Sequence, residues 1–524
     1  MPTTTDESGL KRNLTQRHMQ MIAFGGAIGT GLFVGSGGVY TTGGPGFLVL
    51  DYILVGIMLF CVVMSLGELA SVLPVSGSFA TYSTRFLSPS WGFAMGWNYW
   101  MQWYITLPLE LVAASIVIRF WDPEQKITPG VWIIIFMIAI VIINLFGVRG
   151  YGEFEFGAAL IKIMAVIGFI IAGIVISCGG GPSHEYIGAK FWHTEQGAFF
   201  NGFQGFCSVF VSASFAFSGT ELIGLAAAET ANPRKEVPKA AKQIFARILI
   251  FYCVSLFIVT LTVDPTDARL TGGSSNYDAR QSPFVIAIDR AQIKALPSVI
   301  NAVILVSVLS VGNSSVYAGS RTLLALAQAG QAPRIFSYID RHGRPLPAVL
   351  LSLAIGFLAF LIYSTSQTDV FNWLLGLSGL SVIFSWASIS FCHVRFRAAW
   401  KRAGHTLEEL PWKSPIGIFG AWYGGLFCIL VVILQMIIAV WPIGSEEMTT
   451  SARVVVFFQS CLALPVVILF YCIGEALWHD GWIQVEDIDI STGRREPVPV
   501  DILRREREEA KATPIYKQVW SLFF

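Results

Sequence analysis

An all-α polytopic membrane protein is what this sequence predicts, from three features. Of its 524 residues 54% are hydrophobic and only 13% charged, against about 25% charged in a soluble globular chain, and the mean hydropathy is +0.62. Apolar runs of about twenty residues, the length of a bilayer-spanning helix, recur from near residue 19 to near residue 477. Lysine and arginine crowd every other loop between those runs, the bias that orients membrane helices.

The runs lie near 19–40, 46–72, 91–119, 130–148, 155–177, 203–225, 241–263, 296–326, 346–364, 371–394, 417–441 and 453–477, which makes twelve spans. Span 1 is a poor plain anchor. Its stretch Ile22 to Gly38 holds seven glycines, and an unbroken helix there would give up on the order of 6 kcal/mol relative to alanine. Gly25 with Gly29, and Gly31 with Gly35, fit close helix packing through small residues. They also fit a helix that unwinds at Gly29, Thr30 and Gly31, where free main-chain groups are tolerated only beside a cavity and a polar ligand. A second break would favour the latter reading, and Phe217-Ser218-Gly219-Thr220-Glu221, followed by Gly224, supplies one in span 6.

Basic residues precede span 1 (Lys11, Arg12, Arg17) and follow spans 2 (Arg85), 4 (Arg149), 6 (Arg234, Lys235, Lys239, Lys242), 8 (Arg334, Arg341, Arg344) and 10 (Arg395, Arg397, Lys401, Arg402, Lys413). In Asp264 to Lys294, by contrast, acids offset the arginines. Both tails are thereby expected in the cytoplasm. The first eighteen residues are polar and lack a secretory core, so span 1 is expected to direct insertion itself. The tail after Trp478 reads as solvated and partly helical.

Net charge of +1 excludes a nucleic-acid footprint. The eight cysteines are scattered and form neither a disulfide framework nor a metal spacing. No Walker loop, zinc spacing or nucleophile elbow is present, so neither an enzyme nor a cofactor is expected.

A charged side chain at bilayer depth costs at least about 2.5–3.5 kcal/mol on insertion scales. Asp51, Glu68 and Glu155 suit helix ends or ion pairs. Glu110 follows Pro108, which removes a hydrogen bond inside span 3, and a pocket wall and a structural role remain open for it. Lys162 lies two turns beyond Glu155, too deep to snorkel, and is expected to meet carbonyls or a carboxylate inside the bundle. Glu221 sits in the second break, where its carboxylate could carry protons.

The segments G-G-A-I-G-T-G-L-F (Gly25 to Phe33), G-G-P-G (Gly43 to Gly46), S-L-G-E-L-A (Ser65 to Ala70), P-V-S-G-S-F (Pro74 to Phe79) and L-P-L-E-L (Leu107 to Leu111) resemble the fungal amino acid permeases of the amino acid/polyamine/organocation superfamily. So do F-S-G-T-E-L (Phe217 to Leu222), E-T-A-N-P-R-K-E-V-P-K-A (Glu229 to Ala240), N-S-S-V-Y-A-G-S-R (Asn313 to Arg321) and N-W-L-L-G-L-S-G (Asn372 to Gly379).

The resemblance implies a leucine-transporter-like fold of 5+5 inverted repeats with helices 1 and 6 broken. Its divisions would be a cytoplasmic tail 1–18, a first repeat 19–177, an inverted second repeat 203–399, two peripheral helices 417–477 and a cytoplasmic tail 478–524. It also implies that the substrate's carboxylate meets the amides of Gly29, Thr30 and Gly31, and its ammonium the carbonyls around Ala27, Ile28, Phe217 and Ser218. Gln102, Glu110, Gly219, Thr220 and Ser378 are expected to complete the pocket. Gly29 and Gly31 are expected to exclude bulky side chains because a Cβ would obstruct the carboxylate. Lys162 matches a lysine that stands for a bound sodium in proton-driven relatives, and is expected to hold spans 1 and 8 together against Ser314 or Ser315. Glu221 is the candidate site of proton entry. The implied activity is import of free amino acids, of broad or neutral range, by proton symport across the plasma membrane. Exchange on the same fold and an amino-acid-sensing receptor are the alternatives. The lipid bilayer and protons are the other partners, with trafficking or ubiquitination machinery acting on the tails.

Overall fold

In the computed structural model the described residues are 21, 25–75, 77–181, 184–230, 232–271, 282–290, 292, 295–364, 367–479, 481–494, 498–512 and 514. They contain helices, turns and bends but no β-strand. The principal helices are α1 (Ser36–Val72), α2 (Pro89–Ile118), α3 (Pro129–Leu145), α4 (Gly147–Ser177), α5 (Gly202–Phe217), α6 (Leu222–Ala226) and α7 (Pro233–Arg247). They continue with α8 (Leu296–Gln328), α9 (Leu346–Gly356), α10 (Gln367–Arg402), α11 (Gly417–Val440), α12 (Thr450–Cys461), α13 (Ala463–Trp478) and α14 (Val500–Ala512). A proline opens α2, α3 and α7 and stands second in α8 and α9, where its missing N–H leaves no internal bond unmade. Ser88 caps α2 by accepting from the Trp91 amide at 3.1 Å.

Among the described residues nine helical segments are long and apolar enough to cross a membrane, or ten when α12 and α13, bent by 57° at Leu462, count as one. At 17 residues α3 is a shorter apolar helix. The first two apolar runs, near 19–40 and 46–72, are separated as expected: α1 is two helices joined at a kink at Gly44, at φ +73° and ψ 179°, ahead of Pro45. A positive φ is open to glycine without penalty, and a Cβ there would also press on the Ala198 carbonyl at 2.9 Å. The segment before α5 satisfies the interrupted ladder: Phe200 N donates to Gly43 O at 3.1 Å, and Gly46 N donates to Ala198 O at 2.7 Å.

The centre of the bundle is α2 with α5 and α6, packed against α1, α8 and α10. Outward faces are apolar, as at Ile134, Ile138 and Ile142 of α3 and Leu426, Leu430 and Ile433 of α11, which suits lipid rather than water. Glu68 is in the expected ion pair, its Oε2 accepting from Arg397 Nη2 at 2.6 Å and from Ser414 N at 2.7 Å. Asp51 is not. It is buried within α1, and neither carboxylate oxygen has a partner among the described residues.

The segments after runs 2, 6 and 10 meet the C-terminal tail. Arg85 donates to Thr492 O at 2.7 Å, Arg234 pairs with Glu506 at 2.7 Å, Arg402 with Glu486 at 3.1 Å, and Arg504 pairs with Glu408. The tail is helical over α14, as expected, but it is docked, with Leu503 buried. Lys11, Arg12, Arg17, the rest of tail 1–18 and the acid and base at Asp278 and Arg280 lie outside the described residues.

Candidate functional site

Two helix interruptions face each other at the centre of the bundle. The first is Gly26–Gly29, a turn and bend between helical residue Gly25 and the π-helical turn Gly31–Gly35 that leads into α1. It lies upstream of the expected position: Thr30 is already helical at φ −54° and ψ −38°, so Thr30 and Gly31 occupy a first helical turn. That turn still offers amides, because the first N–H groups of a helix have no partner inside it.

The second interruption is where expected. Helix α5 ends at Phe217, Ser218 is extended at φ −55° and ψ 146°, Gly219 has φ +93°, and α6 resumes at Leu222. Gly219 must be glycine on two counts, since a Cβ would be strained by φ and would overlap Gly26 O. A Cβ on Gly31 would come within 2.5 Å of Ala216 Cα. The reason to exclude a side chain at Gly31 is therefore the partner helix itself. At Gly29 the added atom would strike Val311 of α8.

Between the breaks lies a tight cavity of about 10 Å³, lined by Gly26, Ala27, Gly29, Thr30, Gly31 and Ser218, with Phe215, Val311 and the α2 side chains Trp103, Thr106 and Glu110. Gln102, Thr106 and Glu110 recur at four-residue spacing, which puts them on one helix face. Gln102 Nε2 donates to Ser218 Oγ at 3.0 Å, Thr106 Oγ1 lies 2.9 Å from Ser378 Oγ, and Thr30 Oγ1 donates to Glu110 Oε2 at 2.5 Å. One face of α2 thus touches the first break, the second break and α10. The side-chain Oε1 of Gln102 and Oε1 of Glu110 are buried and have no partner among the described residues. Unmet acceptors in a buried cavity are costly and mark where a donor-bearing ligand gains most.

The ionisable residues divide between the two breaks. Lys162 Nζ donates to Gly25 O at 2.6 Å and to Ser310 Oγ at 3.0 Å, joining the start of the first break to α8. The carbonyl contact was expected, but the α8 partner is Ser310 rather than Ser314 or Ser315. Ser314 lies 3.1 Å from the Tyr151 hydroxyl, and Ser315 bonds to Gly312 O at 2.6 Å within its own helix. Glu221 serves the second break: its carboxylate accepts from Gly219 N at 3.2 Å, Tyr99 Oη at 3.2 Å and Trp386 Nε1 at 3.2 Å.

A sequence profile described as Amino acid permease matches residues 18–486. The chain belongs to the amino acid permease family. It is 54% identical to General amino-acid permease GAP2 of Candida albicans, over 99% of this chain and 87% of that one. It is 49% identical to General amino-acid permease GAP1 of Saccharomyces cerevisiae (98% and 85%) and 47% identical to Cationic amino acid transporter 1 of Schizosaccharomyces pombe (99% and 88%). A multi-pass transporter, and not an enzyme, is what this membership means.

Within this permease, six expected residues line the cavity: Ala27, Gly29, Thr30, Gly31, Glu110 and Ser218. Gln102 and Ser378 reach it only through Ser218 and Thr106. Thr220 turns back on its own chain, donating to Phe217 O at 2.7 Å, and Ile28, Phe217 and Gly219 stand behind the lining. The sequence reading missed Gly26, Trp103, Thr106, Phe215 and Val311. Thr106 was within reach, being midway between Gln102 and Glu110 on one stripe, whereas Val311 carried no local signal. It also missed Tyr252, whose hydroxyl donates to Ala27 O at 3.0 Å and to Ala216 O at 2.9 Å.

Proposed function

We propose that this permease imports amino acids across the plasma membrane by proton symport, with a broad or neutral range, on twelve spans arranged as two inverted five-helix repeats with both termini cytoplasmic. The observation that carries the reading is the cavity held between two facing helix breaks, with polar main-chain walls, the polar side chains of Thr106 and Glu110, and apolar Phe215 and Val311. An amino acid's carboxylate would take the amides of Gly29, Thr30 and Gly31, where the start of a helix favours an anion. Its ammonium would take carbonyls among Ala27, Ile28, Phe217 and Ser218, with Glu110 facing the substrate side chain. Two of the relatives are named general amino-acid permeases, which favours a broad range. Lys162 and Glu221, one at each break, are the proposed coupling groups, with Ser314 and Ser315 in the surrounding wall of α8.

The energetics suffice. A membrane potential of about 100 mV contributes ~2.3 kcal/mol per charge and one pH unit ~1.4 kcal/mol, together enough for accumulation of several hundred-fold. The test is uptake by the purified protein in liposomes under an imposed pH gradient, with a panel of common amino acids competing against one labelled substrate. Uptake that depends on the gradient and collapses with a protonophore supports symport. Uptake that needs only internal substrate makes the protein an exchanger, and no uptake at all makes it a receptor.

A further inference from the structure

A hydrogen-bonded chain of three side chains starts at the first break. Lys162 Nζ donates to Ser310 Oγ at 3.0 Å, and Ser310 Oγ donates to Glu155 Oε2 at 2.7 Å. All three residues are fully buried. A hydroxyl has one proton to give and lone pairs to receive, so Ser310 is used in both directions, accepting from the amine and donating to the carboxylate. On its far side Glu155 is held by Asn313 Nδ2 at 3.4 Å, and Asn313 Oδ1 accepts from Asn144 Nδ2 at 2.8 Å. Glu155 lies about two turns into α4 and not at a helix end, and it closes the far end of the hydrogen-bonded chain.

We propose that Glu155 is a proton acceptor of the transport cycle, taking through Ser310 a proton that Lys162 gives up. The proposal rests on the proton-symport reading and deepens it by naming a second station. In the step, an Nζ–H bond of Lys162 breaks and the proton joins Ser310 Oγ, while the proton Ser310 already carried passes to Glu155 Oε2. An ammonium and a carboxylate become an amine and a carboxylic acid, the hydroxyl is regenerated, and no electrons are transferred.

The consequence falls on Gly25. Its carbonyl accepts from Lys162 at 2.6 Å, and its α-carbon lies so close to the acid that an added Cβ would overlap Glu155 Oε2. Both partners in the exchange therefore touch the last helical residue before the unwound segment. Charge-assisted hydrogen bonds are roughly twice as strong as neutral ones. Neutralising the pair weakens the grip on Gly25, which gives proton movement a handle on the first break. The other titratable groups around the pair are Glu110 of α2, which acts on Lys162, and Tyr151 of α4, on which Glu155 acts together with Tyr317 and Arg321 of α8. Ser310, Asn313 and Ser314 of α8 are the polar groups on Glu155.

The experiment uses the full chain in liposomes and reads two activities, accumulation under an imposed pH gradient and counterflow exchange at equal pH. Wild-type accumulation that survives a protonophore ends the symport reading, whatever the variants do. With wild-type symport in hand, Glu155→Gln and Ser310→Ala are each expected to lose at least tenfold in initial accumulation while keeping exchange within about twofold. Ser310→Thr, which retains the hydroxyl, is expected to restore accumulation, and Glu155→Asp to restore part of it with an altered pH profile. Should Glu155→Gln fail to reach the membrane, the Ser310→Ala and Ser310→Thr pair decides. Accumulation at the wild-type rate in Ser310→Ala or Glu155→Gln overturns the proposal. So does a parallel loss of accumulation and exchange that threonine at 310 does not repair, which would make the chain a structural tie.

Discussion

Tyr252 and Ala27, 225 positions apart in sequence, are joined by a 3.0 Å hydrogen bond, and the same hydroxyl reaches Ala216 O at 2.9 Å. One phenol thus serves a carbonyl at each helix break, one inside the first interruption and one in the last turn before the second. Both acceptors are buried, and a buried acceptor left without its donor costs about 1–3 kcal/mol. Tyr252→Phe is expected to lower the thermal midpoint of the purified protein in detergent by several degrees and to cut uptake more than substrate binding. An unchanged midpoint and uptake would mean that the two breaks hold their geometry without it.

The close approach of the breaks sets a second expectation. Gly219→Ala combines an unfavourable φ with an overlap at Gly26 O, and Gly31→Val drives a side chain into the Ala216 backbone. Both variants are expected to reach the membrane, since the surrounding spans are intact, and to lose uptake entirely. Surface labelling alongside uptake checks this, and normal substrate affinity in either variant would remove the contact between breaks from the account.

Specificity is expected to follow the α2 stripe. Thr106→Val removes the hydroxyl that meets Ser378 without changing side-chain volume much, and Glu110→Gln exchanges the only carboxylate lining the cavity, among the described residues, for an amide. Thr106→Val should change the order in which amino acids compete for uptake while sparing the need for an α-carboxylate. Glu110→Gln should weaken substrates with a cationic side chain by tenfold or more relative to neutral ones. A competition panel reads both, and an unchanged order in both variants would place the side-chain subsite elsewhere.

What could be read from the sequence depended on whether the cause was local. The breaks were legible because glycine and proline act through their own backbone: Gly219 is where the turn was expected, and Gly44 with Pro45 marks the boundary between the first two runs. Lys162 was legible because charge at membrane depth demands a partner. Which partner it takes is a matter of helix phase between α4 and α8, and one helical turn separates Ser310 from Ser314. The role of Tyr252 could not be read at all, since its two acceptors belong to segments distant in sequence and a tyrosine in an apolar run has no local signature. The upstream shift of the first break has a similar origin: Gly25, clamped by Lys162 and Glu155, fixes where the chain leaves the helix.

The docked tail yields a pH expectation outside the membrane. Hydrogen bonding to Arg504 holds the carboxyl of Glu408 below its usual range, so the pair favours docking at neutral pH. A depressed carboxyl contributes above its free pKa of about 4.3 and loses that contribution as pH falls through the lowered value. Protection of α14 from proteolysis is therefore expected to drop in strong acid and in high salt, where exposed pairs are screened. Arg504→Glu should expose α14 at neutral pH, and adding Glu408→Arg should restore protection. Equal protection in all three proteins would show that buried Leu503 suffices.

Glu221 gives the final prediction, because its surroundings separate two roles that one substitution would confuse. Its oxygens accept from Gly219 N, Tyr99 Oη and Trp386 Nε1, so every partner is a donor and the acid fastens the second break to α2 and α10. Glu221→Gln must turn an amide NH₂ toward at least one of those donors, leaving a buried mismatch that costs about 1–3 kcal/mol. The glutamine variant is thus expected to lose both proton-driven accumulation and some stability of the break, and by itself it cannot identify a proton carrier. Tyr99→Phe and Trp386→Phe each remove one donor while leaving the carboxylate able to titrate. If Glu221 carries the coupled proton, those two variants should accumulate substrate with a displaced pH optimum, and Glu221→Gln should accumulate none yet still exchange. If Glu221 is only a fastener, all three should lose accumulation and exchange in proportion to their loss of thermal stability, with the pH optimum unmoved.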